Sequence, residues 1–321
     1  MWSEPPARPR PGAGAVATAV ATASLPDGRP VAVVADRGGH LQWWDLTTGD
    51  PIDRPFAAHG GAVSGVAVAP LAGGRLAVVT TGGDRRVKLW HLAAGLRARL
   101  VAEERFDAAG LAAATVLPGG RAVAVTSLGV PPEGSGRAGE RLHVWDLADG
   151  RAVAAPVDVD QWCFRSLATA VLAGGRVVAV GGGVDGRLHV VDLGAGAALG
   201  AVPAHEQDVV GVATVGLPDG RVVAVSAGRD GAARVWDLAD GRPVGVPFTA
   251  HEDELTCVAA LPLGDRVVAY SAGLDGRVRG WDVASGAALG PAHQPHPWPT
   301  TALAASVRAD GRPVVISADR R

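Results

Sequence analysis

Lysine is almost absent: Lys88 is the only one in 321 residues, and arginine carries the rest of the positive charge. With abundant alanine and glycine, that bias reads as a high-GC bacterial coding sequence more than as a structural requirement. The net charge is −2 and no run of basic residues occurs, which excludes the electrostatic footprint of a nucleic-acid binder. Cysteine is scarce too. Cys163 and Cys257 match no CxxC or metal-ligand spacing. A disulfide-built scaffold is therefore excluded, and a reducing cytoplasm is the expected compartment. No stretch approaches the roughly 18 consecutive apolar residues of a membrane span. Aromatics make up only 4% of the chain against 48% hydrophobic residues, so its core must be built from Val, Ala and Leu.

What the chain has is repetition. Arg29, Arg75, Arg121, Arg176, Arg221, Arg266 and Arg312 each open a Val/Ala-rich run, at spacings of 46, 46, 55, 45, 45 and 46 residues. Six follow a glycine; Asp265 precedes the other. Fifteen residues after five of these arginines stand Trp44, Trp90, Val191, Trp236 and Trp281, and the third repeat reaches Trp145 after 24, which marks a nine-residue insertion. The apolar Ala13 to Ala23, with Arg8 and Arg10 before it, has the outline of a secretion signal. Yet Ala15 to Arg29 aligns with Gly61 to Arg75 of the next repeat, so it is read as a strand.

A period of this length ending in Trp-Asp steps (Trp44-Asp45, Trp145-Asp146, Trp236-Asp237, Trp281-Asp282) resembles the WD-repeat β-propellers over nearly the whole chain. The resemblance implies four strands per blade, a to d from the axis outwards. The expected fold is all-β, a single domain over residues 1–321 with seven blade positions. Six would be four-stranded and the seventh incomplete, because its tryptophan column would fall six residues past Arg321. Either the chain is a shortened product, or the missing strand comes from elsewhere. The proline-rich residues 1–12 are expected to be mobile.

The family also implies a Trp–Ser/Thr–His–Asp network inside each blade. The matching positions are His59, Thr80, Asp84 and Trp90; His205, Ser226, Asp230 and Trp236; and His251, Ser271, Asp275 and Trp281. Blades 3 and 4 are expected to lack it, with Gly181 and Val191 in its columns. A Ser, a His and an Asp together invite a hydrolase reading. Three copies in the same columns speak for a structural role, since a catalytic trio is needed once. Gly181, Gly183 and Gly186 satisfy GxGxxG, but a strand follows where a dinucleotide site needs a helix. No catalytic residue, cofactor or metal site is assigned.

The expected function is a non-catalytic scaffold that presents a rim to a protein or peptide. The rim residues are Trp162, Phe164 and Arg165, Pro131 and Pro132 of the insertion between Ser127 and Glu140, and Trp298 between two prolines. Trp162 either caps the strand below it or stands exposed; Trp298 is expected to be exposed. The acidic Glu206-Gln207-Asp208 and Glu252-Asp253-Glu254 would make one side of that rim negative. Alternatives are a sensory propeller detached from a larger signalling NTPase or kinase, and a propeller enzyme. The inner strands, however, offer no carboxylate or histidine for acid–base work. Self-association through the open seventh blade completes the expectations.

Overall fold

A computed structural model describes residues 16–25, 27–92, 98–106, 110–130, 139–159, 163–308 and 310–319. Residues 1–12, Pro131, Pro132 and Trp162 lie outside that set. Seven antiparallel sheets stand around one axis. Blade 1 consists of Ala17–Ser24, Pro30–Asp36, His40–Asp45 and Phe56–Ala57. Blade 2 is Val63–Leu71, Arg75–Gly82, Arg86–Leu92 and Ala98–Arg105, and blade 3 is Gly110–Val116, Ala122–Val130, Gly139–Asp146 and Val157–Val159. Blade 4 follows with Phe164–Val171, Val177–Gly183, Arg187–Asp192 and Ala197–Pro203.

In blades 5 and 6 the inner three strands are regular: Val209–Gly216, Val222–Gly228 and Ala233–Asp237, then Leu255–Leu263, Arg266–Gly273 and Val278–Asp282. Their fourth strand is held by two bridges each, Trp236–Pro243 with Ala233–Phe248, and Trp281–Ala288 with Val278–His293. Prolines at 243, 247 and 291 explain the reduction, since proline cannot donate to a ladder. Blade 7 has two strands, Thr300–Val307 and Pro313–Asp319. The one helical turn among the described residues is Ala173–Gly175.

The second strands of blades 1 to 6 are largely apolar runs because they are covered on both faces, whereas in blade 7 only Ile316 and Ala318 of that strand are buried. Each main hydrophobic cluster lies between two neighbouring blades. Val31, Trp43, Leu76 and Trp90 fill the space between blades 1 and 2, and Val223, Val235, Phe248 and Trp281 that between blades 5 and 6. The ring closes by the same means, with Ile316 of blade 7 against Ala32 and Trp44 of blade 1.

The arginine signature has a geometric basis. The glycine before it turns the chain with positive φ at Gly28, Gly74, Gly120, Gly175, Gly220 and Gly311; where Asp265 intrudes, Gly264 takes that role. The arginine then reaches the aspartate of the Trp-Asp step: Arg29 to Asp45 at 3.2 Å, Arg121 to Asp146 at 2.6 Å, Arg176 to Asp192 at 3.2 Å and Arg221 to Asp237 at 3.5 Å. The same aspartates accept backbone N–H groups of the next turn, from Thr47, Ala148, Gly194 and Ala239. In blades 1, 3, 4 and 5 these two repeating columns are thus one contact.

Candidate interaction rim

The loops joining successive blades and the b–c turns share one rim, and the network histidines sit just beneath it. In blade 2, Trp90 Nε1–H donates to Thr80 Oγ1 at 3.0 Å, and His59 lies 2.8 Å from both Thr80 Oγ1 and Asp84 Oδ1. Blade 5 repeats this, with Trp236 to Ser226 at 3.0 Å, His205 to Ser226 at 2.7 Å and His205 to Asp230 at 2.9 Å. The indole can only donate and an ionised carboxylate can only accept, which orders the protons from tryptophan through serine and imidazole to aspartate.

Burial depresses the His59 and His205 pKa values and outweighs their aspartates, so both imidazoles are neutral at pH 7. Burial works in the opposite sense on Asp84 and Asp230. Hydrogen bonds nevertheless hold both below the ordinary carboxylate value, from Gly60 N–H and His59 in the first case and from Arg234 and His205 in the second.

Blade 6 differs. His251 lies 2.8 Å from Ser271, and Arg279 lies 2.8 Å from His251 Nδ1 and 2.5 Å from Asp275. Arg234 of blade 5 lies likewise 2.5 Å from His205 Nδ1 and 2.6 Å from Asp230, but in blade 6 the indole is not part of the chain. The His251–Asp275 distance is 3.3 Å, and burial with the Arg279 charge depresses His251 to about 4. Trp281 stands outside this network: its Nε1 has no hydrogen-bond partner, and its ring stacks on Phe248 at 5.2 Å.

Blades 3 and 4 keep more than the sequence pattern promised. Trp145 Nε1–H donates to Thr126 Oγ1 at 2.9 Å, a bond hidden from residue counting because the insertion moves the hydroxyl from ten to nineteen residues before the indole. Part of that insertion lengthens the hairpin, which stays paired as far as Val130 and Gly139. In blade 4 the imidazole comes from strand c itself: His189 pairs with Asp185 at 3.0 Å. Beside it, Phe164 fills the space over Gly181, where any side chain would collide with its ring. Phe164 is 6% exposed, so it belongs to the core and not to the partner surface.

The inner strands show what sequence inspection could not. In six of them one residue bulges out near the start: Thr18, Ser64, Arg165, Val210, Thr256 and Thr301. Ser64 donates to Gly110 O at 2.9 Å, Thr256 to Thr300 O at 2.6 Å and Thr301 to Ala17 O at 3.3 Å, each on the neighbouring blade. Further along, Thr22, Thr169 and Thr214 do the same to Ala305, Ala114 and Thr169. These hydroxyls stitch blade to blade around the axis by satisfying carbonyls on inner edges that have no ladder partner.

Arg165 occupies the bulge position of blade 4 and is the only charged member of that column. Its Nε reaches Asp208 at 3.3 Å on the next blade. Asp208 also faces Arg229 at 3.7 Å, Arg229 faces Glu254 at 3.9 Å, and Arg277 faces Glu252 at 3.7 Å. The five carboxylates of the acidic loops are thus partly offset by three arginines. Arginines from the adjacent strand and turns interleave with them into a band of alternating charge across blades 4 to 6. Trp298 stands on the same rim at 43% exposure. Glu140, at the foot of the insertion, accepts from Ser127 and from Phe164 N–H, and burial raises its pKa.

Cys163 is an exposed thiol, and Cys257 is a half-buried one whose pKa burial pushes up to about 12. Among the described residues no cluster of His, Cys, Asp and Glu could hold a metal ion, and no helix is long and apolar enough to cross a membrane.

The family model described as WD domain, G-beta repeat matches residues 51–91, 196–237 and 241–282. These segments end on the third strands of blades 2, 5 and 6, the blades with a His–hydroxyl–Asp set in the expected columns. No curated protein sequence matches the chain.

Proposed function

Because the chain is a WD-repeat β-propeller, a fold that commonly mediates contact between proteins, we propose that it is a non-catalytic scaffold whose charged rim receives a protein or peptide partner in the cytoplasm. The observation that carries this reading is Arg165. In three other blades the bulge position holds a hydroxyl committed to a neighbouring carbonyl, whereas here a half-exposed guanidinium stands at the mouth of the axis within an interleaved ion band. Such pairs contribute little to stability at the surface, ~0–1 kcal/mol each, but they set register and discriminate between partners. An arginine band with an exposed tryptophan on the same rim has the composition of an interaction surface.

The His–Ser–Asp sets serve the framework in this reading: each hydroxyl accepts from an indole or lies beneath a buried imidazole. Pro313–Asp319 is the last strand of its sheet among the described residues, and the proposal takes its outer side as a second contact for a strand from another copy.

The test is affinity capture with the intact chain against its Arg165→Ala, Trp298→Ala double variant. The scaffold reading expects a specific protein to be retained by the native chain and lost by the variant, with the two chains melting within a few degrees of each other. Equal retention by both removes this rim from the account.

A further inference from the structure

Four blades keep their fourth strand short or broken: Phe56–Ala57, Val157–Val159 and the bridged segments of blades 5 and 6. Two keep it long. Ala197–Pro203 of blade 4 carries no charge and ends on proline. Ala98–Arg105 of blade 2 runs eight residues, and among the described residues its sheet has no strand beyond it. Leu100 and Val101 stand at its centre, 41% and 36% exposed, between Arg99 on one side and Glu103 and Glu104 on the other.

The faces of this strand follow from its pairing. Arg99 lies opposite His91 and Glu104 opposite Val87, whereas Leu100 and Glu103 lie opposite Trp90 and Lys88. Val101 bulges out between Leu100 and Ala102. That extra residue puts Arg99 and Glu104 on one face of the sheet, the face towards blade 3, where a regular strand would separate residues five apart. Glu103, on the other face, is held within its own blade by Arg86 and Lys88. Arg99 and Glu104 are exposed, and among the described residues they enter no ion pair.

We propose that Ala98–Arg105 pairs antiparallel with the same strand of a second copy, about a two-fold axis between Val101 and Ala102. In this register Arg99 of each copy faces Glu104 of the other on one side of the joined sheet, and Leu100 faces Glu103 on the other side. Leu100 and Val101 of both copies gather at the axis, where their exposed surface is withdrawn from water. Charged edge residues usually keep strands apart, but here they are complementary to themselves. The contact is isologous and closes as a dimer. One strand pair falls short of the roughly 1,200 Å² that stable complexes bury, so the dimer is reversible and concentration-dependent. It stands independently of the rim around Arg165 and of the seventh blade.

Sedimentation velocity on the intact chain over a concentration series tests it. The native chain is expected to move from monomer towards dimer, and added salt to shift it back. Arg99→Glu and Glu104→Arg each set like charges opposite one another at both contacts, and each should weaken dimerisation by about tenfold or more. Mixed in equal amounts, the two variants should dimerise again, because the mixed pair opposes unlike charges at both contacts. A native chain that stays monomeric across the series overturns the proposal. So does association that both variants retain undiminished, which assigns it to another surface such as the outer side of Pro313–Asp319. Failure of the mixture to dimerise where the native chain does overturns the register, and the proposal with it.

Discussion

At the scale of single residues, the chemistry-bearing side chains are almost all committed to each other. Two histidines are 0% exposed in their side chains while paired with aspartate in full networks, His59 and His205, and His251 shares that burial. Each takes a proton more readily in the unfolded chain than in the folded one, because folding depresses its pKa. Unfolding therefore takes up protons as pH falls below the ordinary imidazole value near 6.5. The stability these residues support is complete above that pH and is lost as pH drops towards their folded values. For His251, a fall to about 4 corresponds to about 3 kcal/mol over that interval. Asp84, Asp230 and Asp275 are held below 3.8, so their loss begins only below that pH. The melting temperature is expected to decline from pH 6.5 to pH 4 in the native chain and less steeply in His251→Gln. A flat profile over that range would show that the imidazoles are not held neutral by burial.

At the scale of elements, blades are latched through glycines in the b–c turns. Gly186 has φ +75 and its carbonyl accepts from Ala204 N–H and His205 N–H on the strand-to-blade connection; a Cβ there would lie 2.3 Å from His205 O. Gly220, in an a–b turn at φ +86, has open space around it. Both positions resist a side chain for backbone reasons, ~1–2 kcal/mol. Gly220→Ala should cost that amount and no more, whereas Gly186→Ala should cost at least ~3 kcal/mol through the added collision. Denaturant titration of the two variants separates them, and equal costs would mean that the turn does not hold the next blade.

How far these elements were legible follows from how they are made. The ring could be read because the Arg–Asp contact and the turn glycine recur at a fixed period. Thr126 was missed because an insertion broke the count, although its partner Trp145 was in plain view. The burial of Phe164 had a signal, a glycine in the hydroxyl column opposite it, whose meaning depends on three-dimensional proximity. The inter-blade hydroxyls had none, since serine and threonine are ordinary strand residues. The ion pairs of the acidic loops could not be read because their arginine partners lie some twenty or more residues away along the chain, one turn or blade over.

At the scale of the whole molecule, the central claim is a ring of seven blade positions closed by packing, not by a complete last sheet. Thr22 donates to Ala305 O and Thr301 to Ala17 O across the junction of blades 7 and 1, and Ile316 packs on Trp44, so among the described residues the last blade holds the first through its two strands. Among the described residues, the sheet of blade 7 has no strand beyond Pro313–Asp319. The most direct measurement compares the chain with a variant carrying a copy of Asp230 to Leu238 after Arg321, by light scattering and thermal melting. A third strand laid on that edge should raise the melting temperature and shift a self-associating chain towards monomer. Unchanged melting and mass would contradict an open seventh blade.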